Sequence, residues 1–221
     1  MLEKFKRRIL NIFFPARCPV CGEFIGYMDR FCCKCTENLN YMEKKVSISK
    51  AKSFTAAFIY DGNIRPAVML LKNGICGNAD YALGNSLADC LECQNVPERI
   101  DVIIPVPMYR SDRAKRGYNQ SELIANVIGR RFDIPVCIDA VVKKRKTEQQ
   151  KSLNREMRMK NLVGVYYVRN PQKIAGKSVL LVDDVSTTGS TFTELVSLLL
   201  SAGASEVSCA ACCYTSEHSK S

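Results

Sequence analysis

Residues 179–191 read VLLVDDVSTTGST. Four aliphatic residues lead into two adjacent carboxylates, Asp183 and Asp184, and then into Ser186, Thr187, Thr188, Gly189, Ser190 and Thr191. In an open parallel α/β sheet, ligands bind beyond the carboxyl ends of the strands. A helix following such a strand offers unpaired N–H groups and the positive end of its dipole, which suits a phosphate. The hydroxyls of this segment add donors, and Gly189 lets the backbone come close. Asp183 and Asp184 would repel a phosphate they faced, so their better role is to accept hydrogen bonds from neutral hydroxyls such as those of a sugar. A sugar with a phosphate at one end satisfies the whole segment. The competing reading is an ordinary helix with an acidic, Ser/Thr-rich cap.

A second constellation lies near the N-terminus. CPVCG (18–22) and CCKC (32–35) supply Cys18-x-x-Cys21 and Cys32-x-x-Cys35. Two such pairs can place four thiolates tetrahedrally around one structural Zn²⁺, and the closed set leaves no open position for catalysis. The segment has little core of its own, so the metal would supply much of its folding free energy. Cys33 breaks the spacing and reads as a bystander. Cys90/Cys93 and Cys209/Cys212 repeat the spacing on an expected helix and strand, where buried thiols behaving as small hydrophobes are the commoner case.

The elements that must position these groups follow from the rest of the chain. It has 221 residues, 47% hydrophobic and 24% charged, enough for one sizeable core and a small appendage. Residues 1–50 are cysteine-rich and basic; 51–221 carry the periodic apolar segments. FTAAFIY, RIDVIIPVP, CIDAVVKK, LVGVYYV, KSVLLVDD and SEVSCAACCYT read as strands. IRPAVMLLKNG (closed by Gly74), ADYALGNSLADCLEC, NQSELIANVIGRRF and STTGSTFTELVSLLLSAG read as helices between them. This alternation predicts an α/β fold with a mainly parallel sheet flanked by helices.

No segment approaches the ~18 apolar residues of a membrane span, so no membrane insertion is expected. MLEKFKRRILNIFFPARC lacks a signal-peptide pattern and is expected to form a short amphipathic helix packing ILNIFF against the body. Twelve cysteines without a secretion signal point to metal rather than disulfides, and to the cytoplasm. A net charge of +10 favours anionic partners, or is simply a solvated basic surface.

The strand-to-helix segment resembles the phosphoribosyl pyrophosphate (PRPP) motif of type I phosphoribosyltransferases. The cysteine pairs, FIYDGNIRPAVMLLKNG, IPVP with RGYNQSELIA, and Thr147, Gln150, Leu153, Arg158 and Asn161 occur in the order found in the ComF family, a zinc-ribbon plus phosphoribosyltransferase architecture associated with bacterial competence. The resemblance implies a type I phosphoribosyltransferase fold preceded by a four-cysteine zinc-ribbon. It gives Asp183 and Asp184 the ribose hydroxyls, the 186–191 loop the 5′-phosphate, and Mg²⁺ the role of travelling with PRPP.

It also implies that YRSDRAKRGYNQ (109–120), as the loop after IPVP, neutralises pyrophosphate with Arg110, Arg113, Lys115 and Arg116. A hood loop is implied between residues 141 and 160, where eight basic residues meet two acidic ones, with Arg158 beside the reacting centre. These segments suit a single-stranded DNA backbone equally well. Competence or replication-restart proteins are the implied protein partners. Catalysis by transfer of the phosphoribosyl group and a non-catalytic scaffold role both remain open at this point, and the acceptor is unspecified. His218, in the tail, is not expected to be catalytic.

Overall fold

In the computed structural model, residues 2–73, 78–145 and 164–215 are described. Gly74, the Thr147, Gln150, Leu153, Arg158 and Asn161 pattern, and His218 lie outside them.

The central sheet contains β1 (Phe54–Ile59), β2 (Val102–Pro105), β5 (Ser178–Ser186) and β6 (Glu206–Tyr214), in the order β1-β6-β5-β2, with all three pairings parallel. VIIP of β2 is wholly buried, as is SVLLV in β5, because helices or a second sheet cover both faces. The register places Val182 of β5 beside Pro105, the last residue of β2, so from Asp183 onward β5 runs past β2 while β6 stays paired with it through Ser186. Asp183 and Asp184 therefore emerge at the carboxyl edge of the sheet, as the sequence predicts.

One face is covered by α3 (Arg65–Asn73), α4 (Ala79–Cys93) and α6 (Gln120–Phe132), whose apolar residues share one cluster with Phe58, Ile103 and Leu180. Helices α4 and α6 lie close because Gly84 has no side chain: a Cβ there would sit 2.8 Å from Val127. The other face carries α7 (Ser190–Ser201), with Phe192, Leu195 and Leu199 packed on Leu181 and Cys209. Beside it lies a two-stranded antiparallel sheet of β3 (Val141–Lys143) and β4 (Tyr166–Val168).

Three expectations change. Among the described residues of CIDAVVKK and LVGVYYV, these short strands lie outside the parallel sheet, with Val141 and Tyr166 buried, and Cys137 meets the sheet edge by donating its N–H to the Ile103 carbonyl. Residues 109–120 are not all loop. Arg110–Arg116 form helix α5, closed by Gly117 at φ +84°. Finally, α1 (Leu2–Phe13) is an amphipathic helix but does not bury ILNIFF: Ile12, Phe13 and Phe14 are 73%, 73% and 76% exposed. Its inner contact is Arg7, which donates to the Tyr27 carbonyl and to Asn78 and stacks 3.4 Å over the Tyr81 ring.

The cysteine-rich segment joins the body through ions as well as apolar contact. Arg30 and Arg131 both pair with Asp89 of α4 and hold its carboxyl below the usual range despite partial burial. The connecting stretch also reaches inward, with Leu39 in one core cluster and Ile48 in the other. Among the described residues, no helix is long and apolar enough to cross a membrane.

Candidate functional site

Asp183 is fixed from two sides. Its Oδ1 accepts from the Ser121 hydroxyl at 2.8 Å and from the Asp184 backbone N–H at 2.9 Å. Ser121 can reach it because Asn119 caps α6: its side chain accepts from the Ser121 N–H and donates to the Val106 carbonyl, pinning the helix start to the IPVP segment. Burial and the neighbouring Asp184 charge raise the Asp183 carboxyl to about 8, against the lowering effect of the Ser121 bond.

Asp184 faces Lys72 at the end of α3, with Nζ 3.2 Å from its Oδ2. That contact has ion-pair distance but not hydrogen-bond geometry, so the buried Oδ2 accepts no hydrogen bond. A buried carboxylate oxygen without a donor is costly. A ligand hydroxyl, or a water carried by a metal, would relieve it. Lys72 is held in turn where Tyr118 donates to the Leu71 carbonyl at 2.6 Å.

Both aspartates line a cleft of about 1200 Å³. Its cationic residues come from three elements: Lys72 of α3, Lys115 and Arg116 of α5, and Lys143 of β3. Of the four basic residues expected near pyrophosphate, Lys115 and Arg116 line this space. Arg110 is exposed at the start of α5 and is not among the lining residues, and Arg113 instead pairs with Glu122 at 2.7 Å. Forming a helix there explains the split, since residues along one turn point in different directions.

The hydroxyl-rich segment divides as well. β5 continues through Ser186, whose buried Oγ lacks a partner. Gly189 precedes α7 at φ +71°, and a Cβ there would lie 2.4 Å from Ile48 Cδ1. Backbone and side chains thus converge at a helix N-terminus: the Thr188 and Ser190 hydroxyls share a 2.8 Å hydrogen bond, while Thr187 is exposed. Thr191 lines the cleft beside Tyr166, whose phenol is raised by burial and by the charge of Asp183.

The second candidate site is equally compact. The Sγ atoms of Cys18, Cys21, Cys32 and Cys35 all lie within 4.8 Å of one another, with Cys21 and Cys32 3.6 Å apart. Thiolates bound at ~2.3 Å to one tetrahedral Zn²⁺ have this spacing, so the residues fit the ion. Cys33 is exposed and outside the group. Cys90/Cys93 and Cys209/Cys212 form no such group among the described residues, and burial pushes the Cys209 and Cys212 thiols up.

Sequence reasoning missed Lys72, Ser121, Lys143 and Tyr166. The signal for Ser121 was present in RGYNQSELIA, where Asn119 as a cap places the hydroxyl at the second position of the helix toward the preceding strand. Nothing local identifies Lys72, because only the fold brings the end of α3 to β5.

Comparisons with known proteins agree with this architecture. The phosphoribosyl transferase domain matches residues 118–220, and the double zinc ribbon domain matches residues 9–57. Competence protein F of Haemophilus influenzae is 36% identical over 108 residues, 48% of this chain and 47% of that protein. The DNA utilization protein YhgH of Escherichia coli K12 is 35% identical over 115 residues, 52% of this chain and 50% of that protein. YhgH of Salmonella typhi is 26% identical over 205 residues, 90% of this chain and 84% of that protein. The chain spans about half the length of the first two relatives in these matches. The chain has a phosphoribosyltransferase fold and an N-terminal zinc ribbon, and with its competence-named relatives these are the features expected of the ComF family.

Proposed function

We propose that the chain binds PRPP with Mg²⁺ and transfers its phosphoribosyl group, in a process linked to DNA uptake or DNA metabolism. The observation that carries this reading is the pair Asp183–Asp184 at the end of β5, opening onto a cleft whose other residues include Lys72, Lys115, Arg116 and Lys143. Hydroxyl-accepting carboxylates beside a cationic space match a sugar bearing several phosphates. The phosphoribosyl transferase domain match supports it, as do relatives named for competence and DNA utilization.

In this reading Asp183 and Asp184 accept the ribose 2′ and 3′ hydroxyls. The Asp184 oxygen that lacks a hydrogen bond is the acceptor waiting for such a donor. Ser186, Thr187, Thr188, Gly189, Ser190 and Thr191 surround the 5′-phosphate at the start of α7, through N–H groups and hydroxyls. Lys115 and Arg116 meet the pyrophosphate, and Arg158 lies outside the described residues. Mg²⁺, bound with PRPP, would neutralise pyrophosphate charge, and the cleft's acidic pair suits its company.

The C1–oxygen bond to pyrophosphate breaks as an acceptor's nucleophilic atom bonds to C1, through an oxocarbenium-like transition state. The chain's contribution is orientation and fixed charge, which needs no protein nucleophile. We further assign residues 1–50 to a zinc module and 51–221 to the catalytic unit.

The test is calorimetric titration of zinc-loaded protein with PRPP and Mg²⁺, beside Asp183→Ala/Asp184→Ala. Saturable binding by the wild type alone is expected. Absence of binding would overturn the reading and favour the second one, a non-catalytic scaffold for single-stranded DNA or uptake proteins. The net charge of +10 and the names of the relatives favour that alternative, and its mark is salt-sensitive DNA binding unaffected by Asp183→Ala.

A further inference from the structure

Helix α1 is turned the opposite way from an ordinary surface helix. Phe5, Ile9, Ile12 and Phe13 recur at the spacing of one helical stripe, and all four are exposed, Phe5 by 63%. Phe14 follows at the helix end, its N–H bonded to the Leu10 carbonyl and its ring 76% exposed. The polar side holds the helix to the protein through Arg7, with its two hydrogen bonds and its stacking on Tyr81. A helix fixed through Arg7 presents an apolar ridge that nothing in the fold requires.

The chemistry around the ridge selects its occupant. Between Leu2 and Phe14 the sequence holds Lys4, Lys6, Arg7 and Arg8 against one acid, Glu3, and Arg8 is exposed. Arg17, just beyond the helix, stacks over Phe24, which is itself 61% exposed. The ridge stands out from the body rather than forming a groove, so it fits a flat apolar boundary better than a partner's inserted side chain. Large apolar residues bordered by Lys and Arg are the pattern of helices lying in the plane of a lipid interface, with anionic headgroups meeting the charges. No spanning is involved, since twelve residues are too few.

We propose that α1 docks the protein onto anionic lipid surfaces, with Phe5, Ile9, Ile12, Phe13 and Phe14 entering the headgroup–acyl boundary. The opposite end of the chain's chemistry, the Asp183–Asp184 cleft, takes no part. The proposal does not depend on PRPP binding.

Sedimentation of the full chain with vesicles tests it, comparing pure phosphatidylcholine with phosphatidylcholine–phosphatidylglycerol. The wild type is expected to bind the anionic vesicles at least about tenfold more tightly than neutral ones, and less so at high salt. Phe13→Ser/Phe14→Ser, changes at exposed positions, should lose that binding while keeping zinc and thermal stability. Arg8→Glu should weaken it with the ridge intact. Failure of the wild type to bind anionic vesicles overturns the proposal, as does equal binding by the double variant. Concentration-dependent self-association abolished by Phe13→Ser/Phe14→Ser, without vesicle binding, would instead assign the ridge to a second copy and likewise overturn it.

Discussion

The Ser121 hydroxyl donates to Asp183 Oδ1 across 62 residues of sequence, joining the start of α6 to the end of β5. That bond orients the carboxylate before any ligand arrives. Hydrogen bonds to charged groups contribute about 1.5–3 kcal/mol. Ser121→Ala should therefore weaken PRPP binding about tenfold or more while leaving the fold intact, read by calorimetry alongside a thermal melt. Unchanged affinity would mean that Asp183 needs no such orientation.

The raised carboxyl of Asp183 makes a pH prediction with a definite sign. Its folded value, about 8, lies above the ordinary 3.8, so the folded state holds the proton more tightly than the unfolded chain. The associated stability is fully present below pH 3.8 and is lost progressively as pH rises towards 8. Thermal melts between those limits should show the wild type losing stability relative to Asp183→Asn. PRPP with Mg²⁺ should protect more strongly at the alkaline end, where the carboxylate is available to accept ribose hydroxyls.

Lys72 supplies a compensating charge to Asp184 at 3.2 Å. Lys72→Met should leave that carboxylate without its cation and weaken PRPP binding, most at low salt. Titrating affinity against salt for the two proteins separates this from a purely steric loss, which would be the same at every ionic strength.

Gly189→Ala asks a backbone question. A non-glycine residue in the left-handed region costs about 1–2 kcal/mol, and here the new methyl also meets Ile48. Denaturant unfolding should show a loss of at least that size, accompanied by weakened PRPP binding. Adding Ile48→Ala should relieve the contact but not the φ strain, so recovery is expected to be partial.

Zinc should bind the Cys18, Cys21, Cys32 and Cys35 set at one ion per chain, measured by native mass spectrometry. Cys21→Ser should release it. Because ligands of structural zinc sites supply folding free energy, chelation should also expose the Arg30–Asp89 contact and raise local hydrogen exchange in α4.

The parts of this molecule readable from sequence are those whose signals are local. VLLVDD had to approach a sheet edge because two acids cannot follow an aliphatic run into a core, although the strand itself runs on to Ser186. The four ligating cysteines announce themselves by spacing. Asn119 announced α6 by its capping chemistry. What could not be read depends on distant packing: Lys72 reaches Asp184 only because α3 and β5 share a fold, and Arg113 turns to Glu122 only once α5 is helical. The apolar half of α1 was misassigned because periodicity reports that a stripe exists, not which way it faces. Arg7 decided the direction.

Ile48 sits in the stretch that leaves the cysteine module, yet its side chain lies directly beneath Gly189. The connector is therefore part of the floor on which the loop before α7 rests. A chain cut after residue 50 would lose more than a metal-binding accessory, because it would leave a hole under that loop. The two halves cannot be exchanged freely as building blocks between relatives unless this bulky connector residue travels with its glycine. Gene fusions or deletions that separate them should be recovered only with a compensating change at one of the two positions.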